Sequence, residues 1–201
     1  MLAAVLCLPA AFGAGRTIVV VGDSLSSGYG MAAEQSWVAL LKERLGKEGY
    51  GYDVVNASIA GDTSAGGLSR LPRLLDAHSP SLVVIELGGN DGLRGQPIDA
   101  LRDNLAKMIE QSQRAGARVA LAAVQIPPNY GAAYTSAMAA VYPDLAQRFG
   151  ATLVDLALAD VALKPELMQG DGIHPNAAGQ KIVFASIWRA LGPLLAKPDD
   201  R

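Results

Sequence analysis

Two kinds of apolar run alternate along the chain: short unbroken ones, and longer ones in which apolar residues recur three and four apart. Thr17–Val21 is a continuous β-branched run, and Asp53–Val55, Leu82–Leu87, Arg118–Val124 and Thr152–Leu156 are of the same short type. Between them lie Ser36–Lys47, Ser64–Asp76, Pro97–Ala115, Tyr134–Phe149 and a last stretch from about Pro175 to Leu195, whose spacing predicts amphipathic helices. Pro97 suits a first helical turn, where its missing N–H costs nothing. Strands that are apolar on both faces, each followed by a helix, require a parallel sheet covered on both sides. The expected fold class is therefore α/β, one three-layer α/β/α domain over residues 16–201 with five strands and a polar tail at Lys197–Arg201.

Composition narrows the partners. Half of the 201 residues are apolar, 18% are charged and the formal net charge is −2, with Lys and Arg scattered along the chain. Nothing here forms the basic patch that nucleic acid or an anionic membrane would need. One cysteine and two histidines leave too few ligands for a zinc site, so no metal and no cofactor are expected. The anticipated partner is a small molecule, and the chain is expected to act as a monomer.

The first fifteen residues stand apart. Leu2–Phe12 reads as the apolar region of a secretory signal, with small residues Ala11, Gly13, Ala14 and Gly15 near a plausible cleavage point. At roughly 11 to 13 residues it is shorter than the ~20 needed to span a bilayer. No Lys or Arg precedes it, a departure from the usual basic start. Ala4-Val5-Leu6 also lacks the small residue that lipid attachment at Cys7 would want. The expectation is a periplasmic or secreted protein whose mature chain has no cysteine and hence no disulfide.

Four strings carry the candidate chemistry: GDSLS at 22–26, AGDTS at 60–64, GGND at 88–91 and DGIHP at 171–175. In open parallel sheets, ligands bind beyond the carboxyl ends of the strands, where strand order reverses. If the order is 2-1-3-4-5, Ser24 after the first strand falls between Gly61 after the second and Asn90 after the third. Ser24 is then a candidate nucleophile. Asp171 and His174, three apart, can form a base whose ring is oriented by a carboxylate. With Pro175 in the first position of the last helix, His174 would stand at that helix's N-terminus. The backbone N–H groups of Ser24 and Gly61 and the amide of Asn90 can converge on a developing oxyanion. His78, at a helix end before Ser79-Pro80, suits a capping role instead, and Glu86 inside an apolar strand suits a paired structural one. The bland readings are a capping serine, a surface turn and a glycine turn.

A nucleotide-binding alternative rests on Gly28-Tyr29-Gly30-Met31-Ala32-Ala33 and Asp53. It fails on context, because the strand ends near Gly22 and Asp53 precedes the second strand.

With these residues in place, the chain resembles the SGNH, or GDSL, hydrolase superfamily, and is most similar to its bacterial branch of acyl-CoA thioesterases, lysophospholipases and arylesterases. VVGDSLSSGYG, VVNASIAGDTSAGGLSRLP, VIELGGNDGLRG, PPNYGAAY and LKPELMQGDGIHPN carry the likeness from about residue 16 to 180. It implies a flavodoxin-like five-stranded parallel sheet of order 2-1-3-4-5. It implies a nucleophile at Ser24, a base at His174 paired with Asp171, and oxyanion donors at Ser24, Gly61 and Asn90. The reaction implied is hydrolysis of carboxylic esters and thioesters through an acyl-enzyme. The alternatives are acetyl-ester hydrolysis or acyl transfer on glycans, and a silent carbohydrate- or lipid-binding relative. Apolar residues flank the catalytic strings, among them Ile59, Pro128 and Tyr134. The set expected to touch substrate is Asp23, Leu25, Leu93, Ile126, Pro127, Tyr130 and Ile173, with Gln125–Tyr134 as one wall of an acyl groove and Gly92–Gly95 as a mobile flap.

Overall fold

A computed structural model describes residues 16–197. The predicted signal and the end of the polar tail lie outside the described residues. Five parallel strands, β1 (Thr17–Gly22), β2 (Asp53–Asn56), β3 (Leu82–Glu86), β4 (Arg118–Ala123) and β5 (Thr152–Asp155), form one sheet in the order β2-β1-β3-β4-β5. The helices are α1 (Ser24–Ser27), α2 (Trp37–Lys47), α3 (Ser64–His78), α4 (Gly89–Leu93), α5 (Ile98–Arg114), α6 (Ala132–Phe149), α7 (Leu158–Ala162) and α8 (Ala177–Leu191). α2 and α8 pack together on one side of the sheet, and α3, α5 and α6 form a contiguous layer through α5. This is the expected α/β/α architecture with the expected strand order.

The central strands are sealed on both faces. Ile18–Val21 of β1 and the whole of β3 are buried, and Trp37, Leu41, Leu71, Leu105, Met108, Tyr142 and Leu145 close over them. Helix α5 shows how the pattern becomes packing. Leu101, Leu105, Met108, Ile109 and Ser112 fall on one face by the 3.6-residue period and are the residues it buries.

Short helices appear that periodicity could not reveal, since α1, α4 and α7 span one turn each and are held by tertiary contacts. The last helix also starts later than expected. Asn176 caps it, its Oδ1 accepting from the amides of Ala178 at 2.9 Å and Gly179 at 3.2 Å. Pro175 sits before the cap, paired with Met168 in a short antiparallel bridge. His174 therefore lies in the loop before the helix cap.

A charged residue buried within the sheet is Glu86, wholly enclosed at the end of β3. Its Oε2 accepts from Ser26 Oγ at 2.7 Å and from the Asp23 amide at 3.3 Å, while Oε1 has no hydrogen-bond partner among the described residues. Burial, reinforced by the nearby charge of Asp23, raises its carboxyl well above the usual carboxylate range. The role is structural, tying the turn after β1 to β3.

Because the folded protein holds this proton at a pH where the unfolded chain has released it, stability should fall as pH rises from about 4.5. In Glu86→Gln, the drop in urea midpoint between pH 5 and pH 8 is expected to be smaller than in the wild type. An equal drop in both proteins would show that Glu86 does not carry it.

Candidate active site

The carboxyl ends of β1, β2 and β3 open onto a cleft of about 380 Å³. Its lining includes Ser24, Gly61, Asn90 and His174, so the four strings spread over 150 residues of chain converge on one cavity.

Ser24 is the first residue of α1 and half-buried. The turn is tight: a Cβ on Gly22 would lie 2.8 Å from both Glu86 Oε2 and Ser26 Oγ, which explains glycine there. Asp23 caps α1, with Oδ1 accepting from the Leu25 amide at 3.0 Å. Ser24 Oγ lies 2.8 Å from His174 Nε2, and His174 Nδ1 lies 2.6 Å from Asp171 Oδ2. Asp171 Oδ1 also accepts from the amides of Ile173 at 2.9 Å and His174 at 3.0 Å. Partial desolvation would raise the Asp171 carboxyl, but these three hydrogen bonds and the attraction of His174 in its protonated form outweigh it and hold it at about 2. An ionised carboxylate only accepts, so Nδ1 carries the ring proton and Nε2 is left to accept from Ser24 Oγ–H.

Asn90 belongs to α4, entered through Gly88 at φ +120, where any Cβ would also run into the Tyr142 hydroxyl. Asn90 Nδ2 donates to Asp23 Oδ2 at 2.9 Å, which fixes the face the amide turns to the cleft. Asp23 itself is nearly buried. Desolvation pushes its carboxyl up to about 6, against the pull of the Leu25 amide, Asn90 and His174. The N–H of Gly61, a residue at φ +79, has no hydrogen-bond partner among the described residues.

Of the residues expected to touch substrate, Leu25, Leu93, Ile126, Pro127 and Ile173 line the cleft, and Asp23 lines it with its carboxylate turned to Asn90 and Leu25. Tyr130 does not line it; its hydroxyl donates to the Leu93 carbonyl at 3.2 Å. Ile59, Pro128 and Tyr134 are absent from the lining too, and the Tyr134 hydroxyl donates to Gln96 O at 2.7 Å. The two tyrosines thus brace the 93–96 segment from outside. The flap expected at Gly92–Gly95 begins inside α4. Residues 89–93 form a helical turn, and Gly92 is buried so closely that a Cβ would lie 2.6 Å from Met138 Sδ and 2.9 Å from Ile126 Cγ2.

Sequence reading missed Tyr29, whose ring lies 4.9 Å from the His174 ring at the rim, and Ala60 and Leu158 in the lining, whereas Gln125, expected in the groove wall, does line it. Tyr29 stood within the VVGDSLSSGYG string and the failed nucleotide fingerprint, but neither gave it a role at the site. Leu158 stands on α7, for which no periodic signal exists. Among the described residues, no three His, Cys, Asp or Glu side chains converge to hold a metal ion, and no helix is long and apolar enough to cross a membrane.

Comparison with known proteins agrees with this geometry. Residues 20–182 match the model of the GDSL-like lipase/acylhydrolase family. The chain is 51% identical to the esterase TesA of Pseudomonas aeruginosa over 182 residues, covering 90% of each. It is 43% identical to thioesterase 1/protease 1/lysophospholipase L1 of Escherichia coli K12, covering 90% of this chain and 86% of that protein. Among solved structures, the psychrotrophic esterase EstA from Pseudoalteromonas, inhibited by monoethylphosphonate, superposes with a TM-score of 0.85 at 38% identity, covering 89% of this chain and 98% of EstA. The match runs from within β1 into α8, and on that footing the chain belongs to the GDSL-like lipase/acylhydrolase family and is a serine hydrolase of ester bonds.

Proposed function

We propose that Ser24 is the nucleophile of a two-step acyl hydrolase whose substrates are medium and long acyl esters and thioesters, including acyl-CoA thioesters, lysophospholipids and aryl esters. The observation that carries this reading is the continuous chain from Ser24 Oγ to His174 Nε2 at 2.8 Å and from Nδ1 to Asp171 at 2.6 Å, at the mouth of an apolar cleft. In the first step His174 Nε2 takes the hydroxyl proton as Ser24 Oγ bonds to the substrate carbonyl carbon. Asp171 stabilises the imidazolium that results. The carbonyl oxygen, now negative, is met by the amides of Ser24 and Gly61 and by the Asn90 side chain. The bond to the leaving alcohol or thiol breaks, and His174 returns the proton to it. Water then attacks the acyl-enzyme by the same route, releasing the acid and restoring Ser24.

The cleft favours an acyl tail over a sugar. Leu25, Leu93, Val124, Ile126, Pro127, Leu158 and Ile173 supply its apolar walls. A buried methylene is worth about 0.8 kcal/mol, so several contacts discriminate chain length strongly. The related proteins named esterase TesA and thioesterase 1/protease 1/lysophospholipase L1 support the same breadth of leaving group. The apolar stretch Leu2–Phe12 supports export and action outside the cytoplasm.

An alkyl fluorophosphonate is expected to label the wild type on Ser24 and to leave Ser24→Ala unlabelled, with hydrolysis reduced by at least about 10³-fold. Label on the variant would locate the nucleophile elsewhere. Asp171→Asn, which loses the acceptor that fixes the ring tautomer, should lower kcat by about 10²- to 10⁴-fold with the fold unchanged by circular dichroism.

For the groove, Leu93→Ala and Ile126→Ala should each reduce kcat/KM on an octanoyl ester by about 5- to 30-fold while leaving acetyl-ester turnover within twofold. A chain-length profile unchanged in both variants would refute the acyl groove and favour the glycan acetyl-ester reading.

A further inference from the structure

Gly61 is weakly held by packing. A Cβ built on it would meet nothing within 4 Å, its φ is +79, and it is exposed at the cleft rim. A glycine in open space has wide conformational freedom, so the direction of its N–H must be set by hydrogen bonds on either side. On its N-terminal side the Ile59 carbonyl accepts from the Asp62 amide at 3.0 Å, closing a turn. Arg70 braces the same loop from α3, pairing with Asp62 at 2.9 Å and donating to the Ala57 carbonyl.

The remaining restraints come from α4 and the residue that caps it. Arg94 Nη2 donates to the Gly61 carbonyl at 3.0 Å. The buried Asp91 carboxylate accepts twice from the start of α3, from the Ser64 amide at 2.8 Å and from Ser64 Oγ at 2.5 Å. Asn104 completes the junction by donating to Ser64 Oγ at 3.0 Å. Helix α4 therefore grips the 61–64 segment at both ends while carrying Asn90 in the same turn.

We propose that Asp91 and Arg94 are positioning residues that aim the Gly61 N–H at the reacting carbonyl oxygen, so that one turn of helix supplies one oxyanion donor and sets the direction of another. The proposal rests on the acyl-hydrolase reading given above. Neither side chain touches the reacting atoms. Asp91 fixes the position of the loop through Ser64, and Arg94 holds the Gly61–Asp62 peptide through the Gly61 carbonyl; with the Asp62 amide bonded to the Ile59 carbonyl, this sets the turn that orients the preceding Ala60–Gly61 peptide and its N–H. A preorganised donor stabilises the tetrahedral intermediate because it need not reorient as charge develops, and complete loss of one donor costs about 10²–10³ in kcat. Misdirecting one donor costs less, about 10-fold.

The test uses the full chain labelled with ¹⁵N, an acyl-ester substrate and an alkyl fluorophosphonate adduct as a mimic of the tetrahedral intermediate. Arg94 is exposed, so Arg94→Ala should fold and melt as the wild type does. Its kcat is expected to fall about 10-fold with KM within twofold, and Arg94→Lys should recover part of the loss. In the wild type the Gly61 amide proton should move downfield when the adduct forms. That movement should shrink in Arg94→Ala and in Asp91→Asn, while the Asn90 side-chain signals respond as before. Wild-type kcat together with a full Gly61 shift in Arg94→Ala would overturn the proposal. So would a rise in KM confined to phosphate-bearing leaving groups with an unchanged Gly61 shift, which would make Arg94 a substrate contact. Either result leaves Ser24 labelling intact, whereas failure of the wild type to label at Ser24 would remove the hydrolase reading and this proposal with it.

Discussion

Strand β1 is paired on both sides, with Val20 opposite Asn56 of β2 and Gly22 opposite Glu86 of β3. Everything at the cleft depends on that register. It brings two polar side chains from neighbouring strands against the turn that follows β1. Asn56 Nδ2 donates to the Ser26 carbonyl at 2.8 Å, and Glu86 receives the Ser26 hydroxyl and the Asp23 amide. Trp37 adds its indole N–H to Ser26 Oγ at 3.2 Å. Ser24 is thus presented by a turn anchored in the sheet from two sides, and a parallel pairing slipped by one residue would turn each anchor to the opposite face.

Three buried carboxyls lie under the cleft, and each organises a different part of it. Glu86 secures the turn that carries Ser24, Asp23 secures Asn90, and Asp91 secures the start of α3. Burying them is expensive, and for Asp23 and Glu86 the expense appears as raised pKa values. Such a network tolerates little disorder, because each carboxyl is worth its desolvation only while its donors stay in place. The rim is built differently. Tyr29 and Ile173 are each about half exposed there, at 50% and 49%, beside His174, so the cleft has a stiff polar floor and an apolar mouth.

Much of this was legible in the one-dimensional pattern. The short β-branched runs became strands within a residue or two of their expected ends, and α2, α3, α5 and α6 lie where apolar spacing indicated. The single-turn helices were not legible. Gly89–Leu93 carries no periodic signal, and nothing local shows that Gly92, read as the start of a flap over Gly92–Gly95, is required because Met138 and Ile126 approach from another part of the chain. Pro175 suggested a helix start, but Asn176 offers a side-chain acceptor for two free amides and so takes the cap. Tyr130 and Tyr134 looked like groove lining because they are aromatic and fall in the 125–134 stretch beside the catalytic strings. Their hydroxyls instead find backbone carbonyls in the 93–96 segment, a pairing between positions far apart in sequence.

What the amino-acid sequence determined by itself was the alternation of strands and helices, the supply of one serine, one well-placed histidine and their polar companions, and the points along the chain where each would emerge from the sheet. These are local properties, written in spacing and residue type. Tertiary structure alone decided which way the groups face, which carboxyls keep their protons and which glycines have no room for a side chain. Hydrogen-bond direction and desolvation depend on atoms brought close in space from distant positions, and no local pattern records them.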